Sequence, residues 1–179
     1  MDHPADLNLE LYLTEIEISE RVQEMGEQIS SEFTSGKLLI ISVLNGAFIF
    51  TADLVRNITI NHELIFTKVR SYNGIRSGNE IEHQLMFDGR IKGKNVLIIE
   101  DIIDTGKTLD FLLGEIDKKE PASISVAALL WKPDVYGYPH KIRYVGFSIP
   151  HEFVIGYGMD YNDYGRNLKD IYIFKNYKS

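Results

Sequence analysis

Residues 96–108 have the sequence VLIIEDIIDTGKT, in which an apolar run leads into three carboxylates and a short polar loop. The apolar run predicts a buried strand of a parallel sheet. After the loop, Leu109, Leu112, Leu113 and Ile116 recur at helical spacing and predict a helix. The carboxylates therefore lie near the carboxyl end of a strand, which is where open α/β sheets bind their ligands.

The polar loop has the composition of a phosphate site. Free amides and the positive dipole end at a helix N-terminus attract anions. Thr105 and Thr108 can donate hydroxyl hydrogen bonds, Gly106 allows close backbone approach, and Lys107 adds positive charge. Carboxylates beside a phosphate repel it unless they face hydroxyl groups or a bridging cation. The pattern therefore favours a phosphorylated sugar as the ligand.

Two other interpretations of this loop are weaker. A nucleotide-triphosphatase P-loop requires a glycine five positions before Gly106, and this chain has Asp101 there. Alternatively, Asp101 and Asp104 serve only to cap a helix, with Lys107 exposed in its first turn. Capping alone does not explain why Glu100 joins these two carboxylates at one strand end.

The composition is that of one globular domain spanning residues 1–179. Hydrophobic residues make up 44% of the chain, and there is no cysteine, which excludes disulfides and thiolate metal sites. The formal net charge of −7 argues against nucleic-acid binding, which relies on clustered lysine and arginine. Residues 1–6 are polar and acidic, unlike a secretory signal, and the longest apolar runs are strand-length. We therefore expect a cytoplasmic enzyme that binds neither nucleic acid nor membrane.

Other periodic segments predict alternating helices and strands. A capping box at Thr14 and Glu17 opens an amphipathic helix. Residues 38–44 predict a central strand. A turn at Asn45 follows it and leads into an apolar helix. Further strands are predicted at residues 62–69, 125–130, 144–149, 153–156 and 170–174. Residues 71–93 are rich in glycine and polar side chains, which predicts a flexible hairpin.

These segments resemble the type I phosphoribosyltransferase family, in its hypoxanthine-guanine branch. Residues 96–108 resemble the family's signature for phosphoribosyl pyrophosphate (PRPP). The family's order and approximate spacing also hold for SVLNGA at 42–47, RSY at 70–72, LWKP at 130–133 and IPHEFVIGYGMDYN at 149–162. The resemblance covers nearly the whole chain. It implies an α/β fold with a Rossmann-like central parallel sheet flanked by helices, a small hood formed by terminal segments, and a lid hairpin at about 71–93.

The resemblance implies purine salvage: Mg²⁺-dependent transfer of the phosphoribosyl group of PRPP to hypoxanthine or guanine, giving IMP or GMP and pyrophosphate. It implies that Glu100 and Asp101 hold the ribose hydroxyls. The 5′-phosphate is expected to bind Asp104, Thr105, Gly106, Lys107 and Thr108. Asp104 is also the expected general base or acceptor at purine N7.

Four residues are implied to contact the purine. Lys132 would donate to the exocyclic O6, Phe153 would stack on the ring, and the backbone of Val154 would contact its edge. Asp160 would lie near the two-position edge and a pyrophosphate-bound magnesium ion. On sequence alone, Lys132 is an ordinary exposed lysine and Phe153 an ordinary core residue. A donor at O6 makes adenine, with its amino group, a poor substrate.

The resemblance also implies a pyrophosphate site and a lid. Leu44, Asn45, Gly46 and Arg166 are the expected pyrophosphate contacts, and Ser71 and Tyr72 belong to the lid that excludes water. The family's pyrophosphate loop can contain a non-proline cis peptide, and many relatives carry lysine where this chain has Asn45. Mg²⁺ is expected at Glu100, Asp101 and Asp160, partly through the ligand and water.

Two other functions stay open at this point. One is a non-catalytic regulator that keeps the PRPP-binding fold, which the acidic balance and the combination of Asp104, Lys132 and Phe153 disfavour. The other is a transferase for another base, such as xanthine or a pyrimidine. The family resemblance further implies a homodimer or homotetramer, and the apolar helix after Gly46 is a plausible subunit surface.

Overall fold

A computed structural model describes residues 8–34, 37–69, 83–84 and 90–175. The elements in chain order are β1 (Leu9–Leu13), α1 (Glu15–Glu32), β2 (Leu38–Leu44), α2 (Phe48–Asn57), β3 (His62–Val69), β4 (His83–Gln84), β5 (Asn95–Ile103), α3 (Lys107–Asp117), β6 (Ser123–Trp131), β7 (Tyr144–Ser148), β8 (Val154–Ile155) and β9 (Ile171–Phe174).

The main sheet has the strand order β4-β3-β2-β5-β6-β7 within the described residues. Neighbouring strands from β3 to β7 are parallel, and β4 runs antiparallel beside β3. This confirms the predicted Rossmann-like parallel sheet. Because parallel strands end at the same edge, the carboxyl ends of β2, β5 and β6 meet there.

Helices cover both faces of this sheet, which explains why the central strands β2, β5 and β6 contain apolar runs without alternation. Ile40 and Leu97 pack into the core beneath α1 and α2, whereas Ile41 and Ile98 pack into the core beneath α3. The helices contribute Ile18, Val22, Met25 and Ile29 from α1, and Leu109, Leu112 and Ile116 from α3. Each fully buried aliphatic side chain contributes roughly 1.5–3 kcal/mol. The strand that carries the acidic motif is therefore firmly anchored.

A second sheet joins the start of the chain to its end. Its strand order is β1-β9-β8, and both pairs are antiparallel. Leu9 lies opposite Phe174 in one pair, and Val154 lies opposite Ile173 in the other. This small sheet confirms the expected hood of terminal segments.

The predicted capping box at the start of α1 is present. The Thr14 hydroxyl accepts from the Glu17 amide at 3.3 Å, and the Glu17 carboxylate accepts from the Thr14 amide at 2.9 Å. The amide of Glu15 also donates to Asp170 Oδ1 at 2.7 Å, which ties the helix to the segment before β9. None of the helices that the structure describes could cross a lipid bilayer.

Several strand boundaries differ from the sequence expectation, and those of β5 and β8 affect the site. Strand β5 continues through the first two carboxylates to Ile103, because Glu100 and Ile102 still pair with β6. Strand β8 is only Val154–Ile155, because the backbone turns at Gly156, where φ is +106°. The acidic residues are thus held by a sheet, whereas the turn itself is confined to residues 104–106.

The predicted lid lies mostly outside the described residues. Ser71 and Tyr72 are among those not described, so their assignment stays a prediction. The described portions of the predicted hairpin are residues 83–84 and 90–93, and of these His83 pairs with Val69 across β3 and β4.

Candidate active site

One cleft at the carboxyl edge of the main sheet brings together residues from the predicted sugar, purine and pyrophosphate sites. It is lined by Leu44, Asn45, Gly46, Lys68, Asp101, Asp104, Lys132, Phe153, Val154, Asp160 and Arg166, among others. A smaller adjoining hollow shares Asp104 and is lined by Glu100, Thr105, Gly106, Lys107 and Thr108. All predicted site residues in the described part of the chain therefore lie in one continuous region.

The smaller hollow lies at the N-terminus of α3. Gly106 precedes the helix with a φ of +88°, and a Cβ atom there would lie 2.5 Å from Cε2 of Tyr136. Both the backbone conformation and the neighbouring ring therefore require glycine. No side chain caps the helix from this position. The amides at the start of α3 can bind an anion, beside the exposed Lys107 and Thr108.

Glu100, which is buried, and Asp101, which is partly buried, are adjacent carboxylates near the end of β5. Glu100 is 6% exposed, and its Oε1 accepts no hydrogen bond from any residue that the structure describes. Burial, and then the charge of Asp101, hold the pKa of Glu100 well above its usual range. Burial likewise raises the pKa of Asp101 from 3.8 to about 6, although backbone amides and Arg166 oppose the shift. Hydrogen bonds from hydroxyl groups, or a bound cation, would stabilise the ionised form of both carboxylates.

The raised pKa of Asp101 predicts a cost in stability for the ligand-free protein. The folded state holds the proton of the Asp101 carboxyl group more tightly than the unfolded chain does. The protonated group therefore contributes its full stability below about pH 4, and this contribution is lost as pH rises through about 6. We expect the Asp101→Asn variant, free of ligand and magnesium, to be more stable than wild type at about pH 8 by on the order of 2 kcal/mol. Urea unfolding at about pH 8 and about pH 5 measures the gain, which should shrink at the lower pH.

The exposed Asp117 at the end of α3 provides a matched control. The Asp117→Asn variant should show no pH-dependent gain. Equal stability of wild type and Asp101→Asn at the higher pH would contradict the assignment of Asp101 as a desolvated carboxylate.

Lys132 and Asp104 form an ion pair between the ends of β6 and β5. Lys132 Nζ donates to Asp104 Oδ2 at 2.9 Å, and the lysine side chain is only 7% exposed. Asp104 Oδ1 accepts no hydrogen bond from the residues described here. His151 Nδ1 lies 3.7 Å from that oxygen, too far for a hydrogen bond. The expected N7 acceptor and the expected O6 donor are thus adjacent, a pairing that the sequence did not predict.

The hood holds the aromatic side of the cleft. Phe153 packs edge-on against Tyr161 and Phe174, with ring centroids 6.0 and 6.2 Å apart. The Phe153 carbonyl accepts from the Phe174 amide at 2.9 Å, and the next residue, Val154, starts β8 and is buried. Phe153 is therefore fixed by aromatic contacts and by the backbone of the small sheet.

The loop between β8 and β9 (residues 156–170), here called the hood loop, also contains paired acidic and basic residues. Arg166 Nη2 lies 2.7 Å from Asp160 Oδ1, and Arg166 Nη1 donates to the Gly158 carbonyl at 2.9 Å. Gly158 has a φ of +102°, and a Cβ atom there would lie 2.2 Å from the carbonyl oxygen of Gly46. The backbones of the hood loop and the predicted pyrophosphate loop therefore touch directly, which only glycine permits.

The predicted pyrophosphate loop contains the non-proline cis peptide that the family resemblance suggested, between Leu44 and Asn45. A Cβ atom on Gly46 would lie 1.7 Å from Asp101 Oδ2, so this glycine lets the Asp101 carboxylate approach the loop. Lys68 Nζ donates to Asn45 Oδ1 at 3.1 Å. The sequence analysis did not identify Lys68 as a site residue, although it lies next to the end of the strand predicted at 62–69. In the parallel register it lies opposite Leu44.

The acidic residues offer oxygen ligands but no complete metal cage. No group of three or more His, Asp or Glu side chains among the described residues is arranged to hold an ion. The unsatisfied Oε1 of Glu100 and the nearby Asp101 carboxylate nevertheless suit a hard cation. The residues present therefore fit a magnesium ion that takes most of its ligands from a bound substrate and water.

Comparison with known proteins places the chain in a family. The model for the phosphoribosyl transferase domain matches residues 12–162. The hypoxanthine phosphoribosyltransferase of Buchnera aphidicola is 42% identical over 156 residues, which cover 86% of this chain and 88% of that protein. The hypoxanthine-guanine phosphoribosyltransferase of Mycobacterium avium is 40% identical over 176 residues, covering 94% and 86%.

A solved structure agrees with these relatives. The crystal structure of a hypoxanthine phosphoribosyltransferase from Staphylococcus aureus superimposes with a TM-score of 0.88 at 34% identity, covering 98% of this chain and 96% of that one. The chain therefore belongs to the phosphoribosyl transferase family, in the branch of the hypoxanthine and hypoxanthine-guanine phosphoribosyltransferases.

Proposed function

We propose that the protein transfers the 5-phosphoribosyl group of PRPP to hypoxanthine, and to guanine, and releases pyrophosphate. The observation that carries this proposal is the contact between Asp104 and Lys132 beside the anion-binding start of α3. A carboxylate acceptor and an ammonium donor at this spacing match the N7–H and O6 edge of a 6-oxopurine. The family branch supports the same pair of bases.

The sugar would bind between the acidic pair and α3. Ionised carboxylates only accept hydrogen bonds, so the ribose hydroxyls are suitable donors to Glu100 and Asp101. These hydrogen bonds would replace the water that burial removed and would lower the pKa of both carboxyl groups. The 5′-phosphate would accept from the amides and hydroxyls of residues 105–108.

Asp104 would accept the proton that the purine loses during the transfer. The purine N9 forms a bond to C1′ as the bond from C1′ to the pyrophosphate oxygen breaks, and the N7 proton leaves the ring. The Asp104 carboxylate, which accepts one hydrogen bond from Lys132 through Oδ2, would accept that proton with a remaining lone pair. An ammonium has three N–H donors, so Lys132 can serve O6 as well as Asp104. Phe153 would stack on the ring while Val154 and Asp160 contact its edge.

Magnesium would be held by Glu100, Asp101 and Asp160, in part through ligand oxygens and water. When bound, it would offset the charge of the pyrophosphate group. Leu44, Asn45, Gly46 and Arg166 would contact the same group, with Arg166 offering a guanidinium fork to phosphate oxygens. Ser71 and Tyr72 would belong to the lid.

One assay tests the reaction and its two alternatives. Protein, PRPP and magnesium are mixed separately with hypoxanthine, guanine, xanthine, adenine and uracil, and nucleotide formation is followed. We expect turnover with hypoxanthine and guanine and little with adenine. Turnover restricted to xanthine or uracil would identify a transferase for another base, and no turnover with any base would favour a regulator.

We also propose that the protein is a cytoplasmic homo-oligomer, a dimer or a tetramer. Phe48, at the start of α2, is 43% exposed, and Phe66 is 47% exposed. Exposed aromatic side chains are enriched at subunit contacts, and Phe48 belongs to the apolar helix α2 that the sequence suggests as a subunit surface. Light scattering coupled to size-exclusion chromatography tests this proposal, and a monomeric mass would contradict it.

A further inference from the structure

We propose that Lys68 supplies the positive charge for pyrophosphate that the loop Leu44–Gly46 itself lacks. The inference rests on the proposed function, since it concerns the same cleft. Lys68 is the last residue but one of β3 and lies opposite Leu44 of β2, at the edge where the proposed phosphate-binding elements meet. Its Nζ donates to Asn45 Oδ1 at 3.1 Å, and Lys68 lines the cleft together with all three loop residues.

The pairing of the other cations in the cleft favours Lys68 for this role. Among the described residues that line the cleft, Lys132 is engaged by the carboxylate of Asp104, and Arg166 by that of Asp160. The hydrogen bond of Lys68 goes instead to the neutral amide of Asn45. A neutral acceptor orients the ammonium without cancelling its charge, so the charge is available to a polyanion.

Asn45 then acts as a positioning residue for this cation. Its Oδ1 accepts from Lys68, and its backbone follows the cis peptide of the loop. A lysine at position 45 would place a second ammonium where the amide now accepts, and the two would repel each other. We infer that positions 45 and 68 share one positive charge, which this chain places on the strand.

Exchange of the charge between the two positions tests the proposal. The variants are Lys68→Met, Asn45→Lys and the double variant, and calorimetry with inorganic pyrophosphate and magnesium gives Kd. We expect Lys68→Met to weaken pyrophosphate binding, and to raise KM for PRPP, by about tenfold. Addition of Asn45→Lys should restore most of this loss. The affinity for IMP, which carries no pyrophosphate, should stay unchanged in every variant.

The exposed Lys118, which pairs with Glu115 on α3, provides a matched control for loss of one surface charge. The Lys118→Met variant should bind pyrophosphate like wild type. Unchanged pyrophosphate affinity in Lys68→Met would overturn the proposal, and so would an equal loss of IMP affinity, because it would indicate a general disturbance of the cleft. These binding measurements need no turnover, so failure of the proposed reaction would be recognised separately in the nucleotide-formation assay.

Discussion

Replacement of Asp104 by asparagine is expected to lower kcat for IMP formation by about 10²–10⁴-fold, the usual contribution of a general base. An asparagine side chain has nearly the same shape but cannot take up the N7 proton. Its amide oxygen can still accept the hydrogen bond that Lys132 Nζ now donates to Asp104 Oδ2. The buried ammonium therefore keeps an acceptor, and we expect the fold to persist.

Steady-state kinetics and a thermal melt separate these two effects. The Asp104→Asn variant should melt close to wild type, and the affinity for PRPP should fall far less than kcat. Asp134, an exposed residue shortly after Lys132, offers a control in the form of Asp134→Asn, which should turn over normally. Near-wild-type kcat in Asp104→Asn would remove Asp104 from its role as base.

Much of the fold follows from local pattern in the sequence. The apolar run before Glu100 predicts a buried strand because helices cover both faces, and the observed core confirms this arrangement. The capping box at Thr14 predicts the start of α1 because its hydrogen bonds connect residues three positions apart. Such features depend on neighbours in the chain, which is why one sequence suffices to predict them.

Features that depend on distant pairing were predicted less well. Strand β5 runs past Asp101 because β6 continues beside it to Trp131, and no local signal gives the length of that partner. Strand β8 is shorter than predicted because the backbone turns at Gly156 and Gly158. Both have positive φ values, and both lie against the backbone of other segments of the chain. Residue types at short spacing do not reveal where two segments touch.

The same distinction applies to the site. The residues of the motif at 96–108 lie together because a strand, a turn and a helix connect them. The ion pair of Lys132 with Asp104, and the contact of Lys68 with Asn45, join different strands. The sheet order that brings these pairs together is a property of the whole chain, so sequence spacing alone did not predict either contact.

Replacement of Lys132 by methionine is expected to lower kcat/KM for hypoxanthine by about a hundredfold, because a charged donor to the purine is lost. Methionine retains an apolar stem for the nearly buried position, while Asp104, whose side chain is 43% exposed, can be solvated without its partner. The change should therefore affect catalysis more than folding.

The response of adenine distinguishes lost recognition from general damage. In wild type, Lys132 should favour a 6-oxo group over an amino group, since two donors facing each other leave both unpaired. Without the ammonium, activity with hypoxanthine and guanine should fall together, while the weak activity with adenine should stay constant or rise. The ratio of kcat/KM for hypoxanthine to that for adenine should therefore drop by at least about tenfold. If all three purines lose activity in the same proportion, Lys132 acts only through Asp104, and the assignment of its ammonium to O6 is wrong.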